Sequence, residues 1–500
     1  MLKTWHLKIS EMKEEVGGLS LQKEMGTLKT VRIIHEIFHR MDYIYLAEAF
    51  RFLGIFVCEE ILMEGLGKSQ ADSDTECDAV IFVGSTELSE KEAGKLGVAA
   101  KEYESCVQQM TEGSEVIFFE SCLKSVQNEG AIRHLTVAGD GFFPIPLEQS
   151  LSKEEQVELY CSILTEISKI CSGMEINAQE DSWKRLFDVF VENKLMFHSM
   201  NLQYYTKRPS RAAADAKAAF IEGYQGLKKL GPTISGDVLM HCRYAKLWCA
   251  VKANMACDYQ GDILYFPIEY LEEECKKLCK EYEAFDNARV LLGLCYEPAL
   301  SYGNEALIAF DGALQKMGAV CFASPVYYWM GKRFESYSGR KKDAEICYKK
   351  ANDRKEKFRN IFKLAVIERD RKEYDKSLEL FDKILSKLQK KLEMEFADPL
   401  ELEYAFKVYM QESYIYFQKG NYDRTIEMGK RAIEIKEEKI KQNKFFPIFY
   451  DQDAEGYKEI LQKRLKPKTA YQLLAESYYQ LEEEGEAEKY RNKLRKLKQE

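Results

Sequence analysis

The hydrophobic pattern of the chain changes its period after about the first third. Between residues 28 and 150, short apolar runs alternate with amphipathic stretches. The run "DAVIFVGS" (78–85) is continuous and ends near a glycine, which is typical of a buried parallel strand. Further strand-like runs lie at 30–38, 55–62 and 115–121, with a fifth at either "HLTVAG" or "FFPIPL". This alternation predicts an open, mostly parallel sheet with helices on both faces.

From about residue 155 the strand signal gives way to helical periodicity. Segments such as "EEQVELYCSILTEISKIC" and "SWKRLFDVFVENKLMFHSM" space their apolar residues as one face of a helix does. The boundary between the two patterns falls in "PIPLEQSLSKEE" (144–155). The sequence therefore predicts an α/β part followed by an all-helical part.

The helical part repeats a unit in which a turn is followed by a helix carrying a small residue. Small residues occupy the same place in four segments, at Ala344, Ser377, Thr425 and Ala487. The segment "SYGNEALIAFDGAL" (301–314) fits too, with Ala306, Phe310 and Ala313. Ala344 and Ser377 are 33 residues apart, and the next two intervals are lengthened by the insertions "LQKKLEMEFADPLE" and "QNKFFPIFYDQDAEG".

These units resemble tetratricopeptide repeats (TPRs), which are helix pairs of about 34 residues with small residues where the helices touch. The resemblance extends from about 285 to 495. It implies stacked helix pairs with a groove that takes a protein or peptide partner. The alternative interpretation is a rigid spacer or an oligomerisation surface.

Composition narrows the classes of function. The chain of 500 residues has 46% apolar residues and a net charge of −9, which argues against a broad nucleic-acid surface. The longest apolar region, 43–63, is interrupted by charged residues and is not a membrane span. Fourteen cysteines follow no disulfide-like spacing, and the N-terminus has no apolar leader segment. We therefore expect a cytoplasmic protein.

The stretch "EGLGKS" (64–69) ends as a phosphate-binding P-loop does. A P-loop needs another glycine five residues before Gly67, and that position is Leu62. The residues that follow, "QADSDTECD", are too polar for the helix of a P-loop. We interpret the stretch as a polar loop.

The order of motifs in the first third resembles a divergent Toll/interleukin-1 receptor (TIR) domain. A helix ending in Leu-Gly leads into an acidic strand, a glycine-bearing loop and a strand ending in serine. The matching residues are Leu46, Ala47, Leu53, Gly54, Glu59, Glu60, Gly67, Asp78, Ala79, Val80, Ile81 and Ser85. The resemblance implies a flavodoxin- or TIR-like sheet, self-association through this domain, and a nucleotide cleft at Gly67, Gly84 and Ser85.

Some members of the TIR family cleave NAD with a glutamate on the helix after this strand. The resemblance makes Glu92 the candidate catalytic residue, because a carboxylate stabilises the positive charge that develops on the ribose. No cofactor is implied, since NAD would be the substrate. The tryptophan and second serine of the family pattern are missing here. The alternative is that Glu87, Glu90 and Glu92 form a solvated helix start.

Metal and redox sites have little support in the sequence. His35 and His39 lack ligands at metal-binding spacing. Cys275 and Cys279 lie one helical turn apart, which fits a seam between helices better than a metal or redox pair.

Together these patterns predict a multi-domain fold. We expect an extension at 1–27, a TIR-like α/β domain at 28–150 and a TPR-like helical domain at 155–500. The predicted function is signalling or antiviral defence, in which the repeats bind a partner and the TIR-like domain is the output module. The alternatives are an NAD-cleaving N-glycosidase and a non-catalytic scaffold.

Overall fold

The computed structural model describes most of the helical part of the chain and selected segments before it. The described ranges are 30–36, 40–62, 79–84, 116–120, 134–136, 152–170, 181–205, 211–256, 264–282, 287–296, 303–317, 323–337, 339–392, 396–397, 399–440, 444–445, 465 and 467–497. The chain divides into two compact units, Met1–Val326 and Tyr327–Glu500.

The first unit begins with short parallel strands. They are β1 (Thr30–Glu36), β2 (Phe56–Leu62), β3 (Ala79–Gly84), β4 (Val116–Glu120) and β5 (His134–Thr136), in the spatial order β2-β1-β3-β4-β5. Helix α1 (Arg40–Phe52) connects β1 to β2. The strand-like runs of the sequence thus lie where strands form, and the fifth strand falls in "HLTVAG".

The elements described after the strands of the first unit are helices. They are α2 (Lys153–Ile170), α3 (Asp181–Glu192), α4 (Leu195–Tyr205), α5 (Arg211–Leu230), α6 (Gly236–Met255), α7 (Ile268–Glu281), α8 (Asn287–Cys295) and α9 (Gly303–Met317). Ser152 and Glu155 form a capping box at the start of α2, with Oγ of Ser152 accepting from the Glu155 amide at 3.2 Å. Each helix from α2 to α9 packs against the next.

The helices described in the second unit form four pairs, although the first of these helices starts at the end of the first unit. The first helices of the pairs, here called A helices, are α10 (Ala323–Glu335), α12 (Phe358–Asp370), α14 (Pro399–Gln418) and α16 (Lys468–Gln480). The second, or B, helices are α11 (Lys341–Arg354), α13 (Tyr374–Leu392), α15 (Tyr422–Glu434) and α17 (Glu484–Leu497). A π-helical turn, Ile435–Lys439, extends α15. Each A helix from α12 onward also contacts the next A helix, as in a stacked array.

The expected fold class, a separate doubly wound α/β domain of flavodoxin or TIR type joined to a solenoid, is wrong. The described chain is predominantly helical, and α1 is the one helix described beside the sheet. One face of α1 packs against α4 and α6, so the strand-bearing segment shares a core with the helices that follow. The boundaries at 1–27, 28–150 and 155–500 stay predictions.

The prediction of TPR-like helix pairs in the C-terminal part is confirmed by burial. Ala344, Ser377, Thr425 and Ala487 are all buried, as are Ala306, Phe310 and Ala313. The Ser377 hydroxyl donates to the Ala365 carbonyl at 2.8 Å, and the Ser413 hydroxyl donates to the Thr425 carbonyl at 2.9 Å. Both bonds join an A helix to its B helix across the same twelve-residue separation. The repeated sequence pattern therefore corresponds to a repeated packing of helix pairs.

Two further pairs need a glycine at their crossing point. A Cβ atom on Gly331 of α10 would lie 2.6 Å from the Tyr348 ring of α11. Gly293 of α8 contacts the Phe310 ring of α9 in the same way. In each case the glycine and the aromatic residue are 17 positions apart in the sequence. Because the ring occupies the space of a missing side chain, any larger residue at Gly293 or Gly331 would push the helices apart.

Three helix pairs share one turn of three residues. Its middle residue has a positive φ in each case: 65° at Lys372, 72° at Gly420 and 62° at Glu482. The residue that follows donates its amide to a carbonyl five positions earlier, as in a Schellman motif. The same backbone geometry thus tolerates glycine at one site and side chains at two others, where the left-handed conformation costs energy.

The two insertions of the repeat region pair with each other. Strand β6 (Phe396–Ala397) lies in the first insertion and pairs in parallel with β7 (Lys444–Phe445) in the second. The insertions therefore meet at one place in the second unit, which their separate positions in the sequence did not indicate.

The shared turn predicts opposite effects for glycine at equivalent sites. Lys372→Gly and Glu482→Gly should each stabilise the second unit by about 0.5–1 kcal/mol, whereas Gly420→Ala should destabilise it by about 1 kcal/mol. Urea unfolding of the full chain measures these changes. Gly485→Ala is the control, because Gly485 lies in the first turn of α17 with open space around it and should tolerate the substitution. Stabilisation by Gly420→Ala would contradict the assignment.

Candidate interaction site

Partly exposed apolar side chains occur on several A helices of the second unit, and Ile346 of the B helix α11 is also 37% exposed. In α12, Phe358, Phe362 and Val366 are all half-buried, although this helix lies inside the array. Tyr414 of α14 is 37% exposed and Tyr479 of α16 is 50% exposed. Large apolar side chains left open to solvent on successive parallel elements are typical of an interaction surface.

Cationic side chains stack on aromatic rings across this surface. The Arg359 guanidinium of α12 lies 4.3 Å from the centre of the Tyr328 ring of α10. Arg369, also of α12, lies 5.8 Å from the Tyr414 ring of α14 and donates to the Gln411 side chain. Phe362 and Tyr404 are in edge contact at 5.7 Å. These six residues, Tyr328, Arg359, Phe362, Arg369, Tyr404 and Tyr414, are called the A-helix surface below.

The stacking orients the guanidinium groups before any partner arrives. The Arg369 guanidinium also donates through Nε and Nη2 to the Asp370 carboxylate, so a partner's carboxylate would take the place of Asp370 there. Lys407 lies 5.4 Å from the Tyr404 ring, and its ammonium group is paired with Glu403 at 2.6 Å. Chemically, the A-helix surface can therefore bind a segment that offers apolar side chains together with carboxylates.

Glu412 of α14 is a buried acid inside the array. It is 2% exposed, and its Oε1 atom has no hydrogen-bond partner. The equivalent residues of the flanking A helices, directly before Ala365 and Ala475, are Leu364 and Leu474. A carboxyl group thus occupies a position that is apolar in the neighbouring repeats.

Burial decides the charge state of Glu412. Burial raises its pKa to about 8, and the nearby Asp382 adds to the rise, while Arg431 and Arg424 partly oppose it. At neutral pH the Glu412 carboxyl is therefore mostly protonated, which limits the cost of keeping it out of water.

A cluster of buried polar side chains in the first unit fixes α1 to two other helices of that unit. Glu48 of α1 is 2% exposed and pairs with Arg51 at 2.5 Å. It also accepts from the Ser199 hydroxyl of α4 at 2.6 Å, and Lys252 of α6 donates to that hydroxyl at 3.0 Å. This set is called the Glu48 cluster. It connects three helices, and Trp248 lies 5.2 Å from the Lys252 ammonium group.

The charges of the Glu48 cluster stabilise one another. Burial alone would raise the pKa of Glu48, but Arg51, Lys252 and Ser199 outweigh it and hold the pKa below its usual value. Burial lowers the pKa of Lys252, and Glu48 partly restores it. Each charge therefore depends on its partner to remain ionised.

Further contacts hold the end of α1 against helices α3, α6 and α8. The buried His241 of α6 donates through Nδ1 to the Leu53 carbonyl at 2.6 Å. The Asn287 side chain of α8 donates to the Gly54 carbonyl. Phe52 packs against Phe190 and Trp248, with ring centres 4.8 and 5.8 Å apart. The turn into β2 is thus held by three helices of the first unit.

Most of the sequence-predicted site residues lie outside the described residues. Gly84 ends β3 and pairs with Glu120 of β4, which places it at the carboxyl end of the sheet. Gly67, Ser85 and Glu92 fall in the undescribed ranges 63–78 and 85–115, so the structure does not bring them together or separate them. Their roles in NAD binding and cleavage stay predictions.

The sequence did not identify the A-helix surface, the buried Glu412 or the Glu48 cluster. Arg359, Arg369 and Tyr414 occur within ordinary amphipathic helices, and a repeat alignment would have shown Glu412 opposite two leucines. In the described ranges, no group of three or more His, Cys, Asp or Glu side chains could hold a metal ion. No helix of the described chain combines the length and the apolar character needed to cross a bilayer.

Comparison with known proteins gives distant structural likenesses. Yeast Tom70 is 17% identical with a TM-score of 0.35, and the match covers 64% of this chain and 61% of Tom70. The human IFIT1 dimer with PPP-AAAA is 16% identical with a TM-score of 0.29, covering 69% of this chain and 80% of that one. A signal-transduction ATPase with a tetratricopeptide repeat sensor from Pyrococcus horikoshii is 12% identical, with a TM-score of 0.28 and coverage of 93% and 80%. The sequence matches no protein-family model and no curated protein.

Likenesses at this level do not carry a fold or a function from one protein to another. The class of this chain, a protein with TPR-like helix pairs, therefore rests on the packing of α10 to α17.

Replacing Glu412 tests whether the buried carboxyl is neutral. Its folded pKa of about 8 exceeds the usual 4.5, so the unfolded chain releases this proton as pH rises above 4.5 and stability falls until about pH 8. Glu412→Gln should therefore stabilise the second unit by about 2–3 kcal/mol at pH 7, with a gain that approaches zero near pH 4.5.

Urea unfolding of the full chain at pH 5, 7 and 8.5 measures this dependence. Glu379→Gln on the exposed face of α13 is the matched control and should show no such trend. A gain from Glu412→Gln that is the same at all three pH values would rule out the proton as its cause.

A double-mutant cycle tests the Glu48 cluster. Lys252→Met leaves buried Glu48 with one cation fewer and should cost about 2–4 kcal/mol of unfolding free energy. When Glu48→Gln is combined with it, the two effects should be non-additive by at least about 1 kcal/mol. Lys246→Met on the same helix is the control, because its pair with Glu274 at 3.4 Å is partly exposed and should cost less than about 1 kcal/mol. Additive effects would show that Glu48 and Lys252 are not coupled.

Proposed function

We propose that this protein is a helical-repeat interaction scaffold whose A-helix surface binds a segment of a partner protein. One observation carries the proposal: Arg359 and Arg369 are stacked on Tyr328 and Tyr414, beside apolar side chains that remain open to solvent. These features follow successive A helices, so an extended or helical peptide can contact several repeats at once.

The chemistry of the A-helix surface selects the kind of segment. The free energy of binding becomes more favourable when a partner's apolar side chains remove the half-buried aromatic rings from water. Guanidinium groups bind carboxylates through two parallel, charge-assisted hydrogen bonds. The supported ligand is a peptide segment that combines acidic residues with aromatic or aliphatic residues.

The B helices are a poorer candidate for the same role. Apart from the exposed Ile346, the solvent-facing positions in α11 and α13 are mostly Lys, Glu and Asp, several of which pair with each other or with Glu356 in the loop between α11 and α12. Exposed ion pairs of this kind contribute little to binding, because they lose hydration on contact with a partner.

Cleavage of NAD remains the alternative function. It rests on Glu92 and on the resemblance of the first third of the chain to TIR domains, and no described residue tests it. Signalling or antiviral defence likewise stays a prediction about the partner and the output of binding.

Peptide selection against the full chain tests the proposed function. Peptides selected from a random library should be rich in Asp or Glu and in apolar residues. Their affinity, measured by fluorescence anisotropy, should fall at least about tenfold with Arg359→Ala plus Arg369→Ala, a loss of about 1.4 kcal/mol.

The matched control removes two cations from a B helix. Lys341→Ala plus Lys342→Ala changes exposed residues of α11 and should leave the affinity unchanged. Circular dichroism and an unfolding curve establish that each variant is folded. Peptides that bind both double variants equally, or that lose affinity with the α11 variant alone, would exclude the A-helix surface as the site.

A further inference from the structure

Two cysteines of neighbouring helices in the first unit touch through their sulfur atoms. Cys275 of α7 and Cys295 of α8 are 0% and 1% exposed, and their Sγ atoms are 3.7 Å apart. Both are reduced in this structure. In the sequence, Cys279 is the cysteine nearest to Cys275, one helical turn away, whereas the fold places Cys275 against a cysteine 20 residues later.

The contact lies in a well-packed part of the unit. Helices α7 and α8 pack against each other, and α6 contacts both. The buried Tyr244 of α6 lies close enough to both sulfurs for them to affect its phenol. The contact with Cys295 and burial raise the pKa of the Cys275 thiol well above its usual value, so this thiol is protonated at neutral pH.

We propose that Cys275 and Cys295 are a modification site at which a disulfide forms between α7 and α8 under oxidising conditions. The sulfur atoms are already in contact at 3.7 Å, and a disulfide requires them to approach to about 2.05 Å. The site is independent of the A-helix surface, whose residues all belong to the second unit.

The oxidant would be a low-molecular-weight disulfide such as oxidised glutathione. One cysteine loses its proton and its thiolate attacks the reagent, forming a mixed disulfide and releasing one reduced thiol. The second cysteine loses its proton and attacks the sulfur of the first, which releases another reduced thiol. Two protein thiols are thus oxidised to one disulfide, while one reagent disulfide is reduced to two thiols.

Burial sets the rate of this reaction rather than its product. The reagent reaches the sulfurs when the α7–α8 pair opens locally, and thiolate forms in that opened state. Once one cysteine carries the reagent, the other is within reach as soon as the pair recloses, so ring closure competes well with a second external attack. The cross-link would then fix α7 relative to α8 and restrict the opening through which it formed.

Mass spectrometry of the oxidised full chain tests the proposal. The protein is incubated with oxidised glutathione under native conditions, the remaining thiols are alkylated, and peptides are mapped without reduction. We expect a cross-linked peptide that joins Cys275 to Cys295, its loss on reduction, and a rise in the unfolding midpoint of about 5 °C that reduction reverses.

Three variants assign the cross-link to this pair. Cys275→Ala and Cys295→Ala should each abolish it, and Cys279→Ala, which removes the neighbouring thiol on α7, should leave it unchanged. The mapping of the unmodified sequence stands by itself if a variant does not fold. A stable glutathione adduct on either cysteine, a cross-link from either one to a different cysteine, or a pair that stays reduced while other thiols of the chain are oxidised would each overturn the proposal.

Discussion

The close contact between the two helices of each pair is the constraint on which the C-terminal structure depends. A single helix pair cannot bury its apolar face, so its stability comes from stacking on the neighbouring pairs. Close packing requires small side chains where the two helices of a pair cross. Ala344, Ser377, Thr425 and Ala487 meet this requirement with small side chains. Gly331 meets it by leaving room for the Tyr348 ring. The residue types differ, but each of them lets the paired helices approach closely.

Polar groups inside this packing are tolerated where they have a partner or can stay neutral. The Ser377 and Ser413 hydroxyls each donate a hydrogen bond to a carbonyl of the paired helix. In the Glu48 cluster, opposite charges and a shared hydroxyl offset the cost of burial, and they fix α1 against two specific helices. Glu412 has no such compensation at Oε1, and protonation is its means of avoiding a buried charge.

The two units therefore present different chemistry. In the first unit, polar contacts are directed inward, and they attach the strand-bearing segment to helices α4, α6 and α8. In the second unit, the A helices hold cations over half-buried aromatic rings, and Tyr414 and Tyr479 remain partly open to solvent. A surface with stacked guanidinium groups and open rings is suited to a protein segment, which is the basis for regarding the protein as an interaction scaffold.

The sequence by itself determined the helix pairs and the places of the strands. The recurrence of small residues and the period of the apolar positions depend on local geometry, so the spacing along the chain was enough to assign Ala344 and Ser377 to helix crossings. The tertiary structure decided which distant residues meet. Burial of Glu412, the contact of Cys275 with Cys295 and the stacking of Arg359 on Tyr328 depend on which side chains of separate helices face each other, and the apolar period does not specify those partners. The same reason explains why a separate α/β domain was expected: the run "LAEAFRFLG" shows that α1 is amphipathic, but not that its buried face meets α4 and α6.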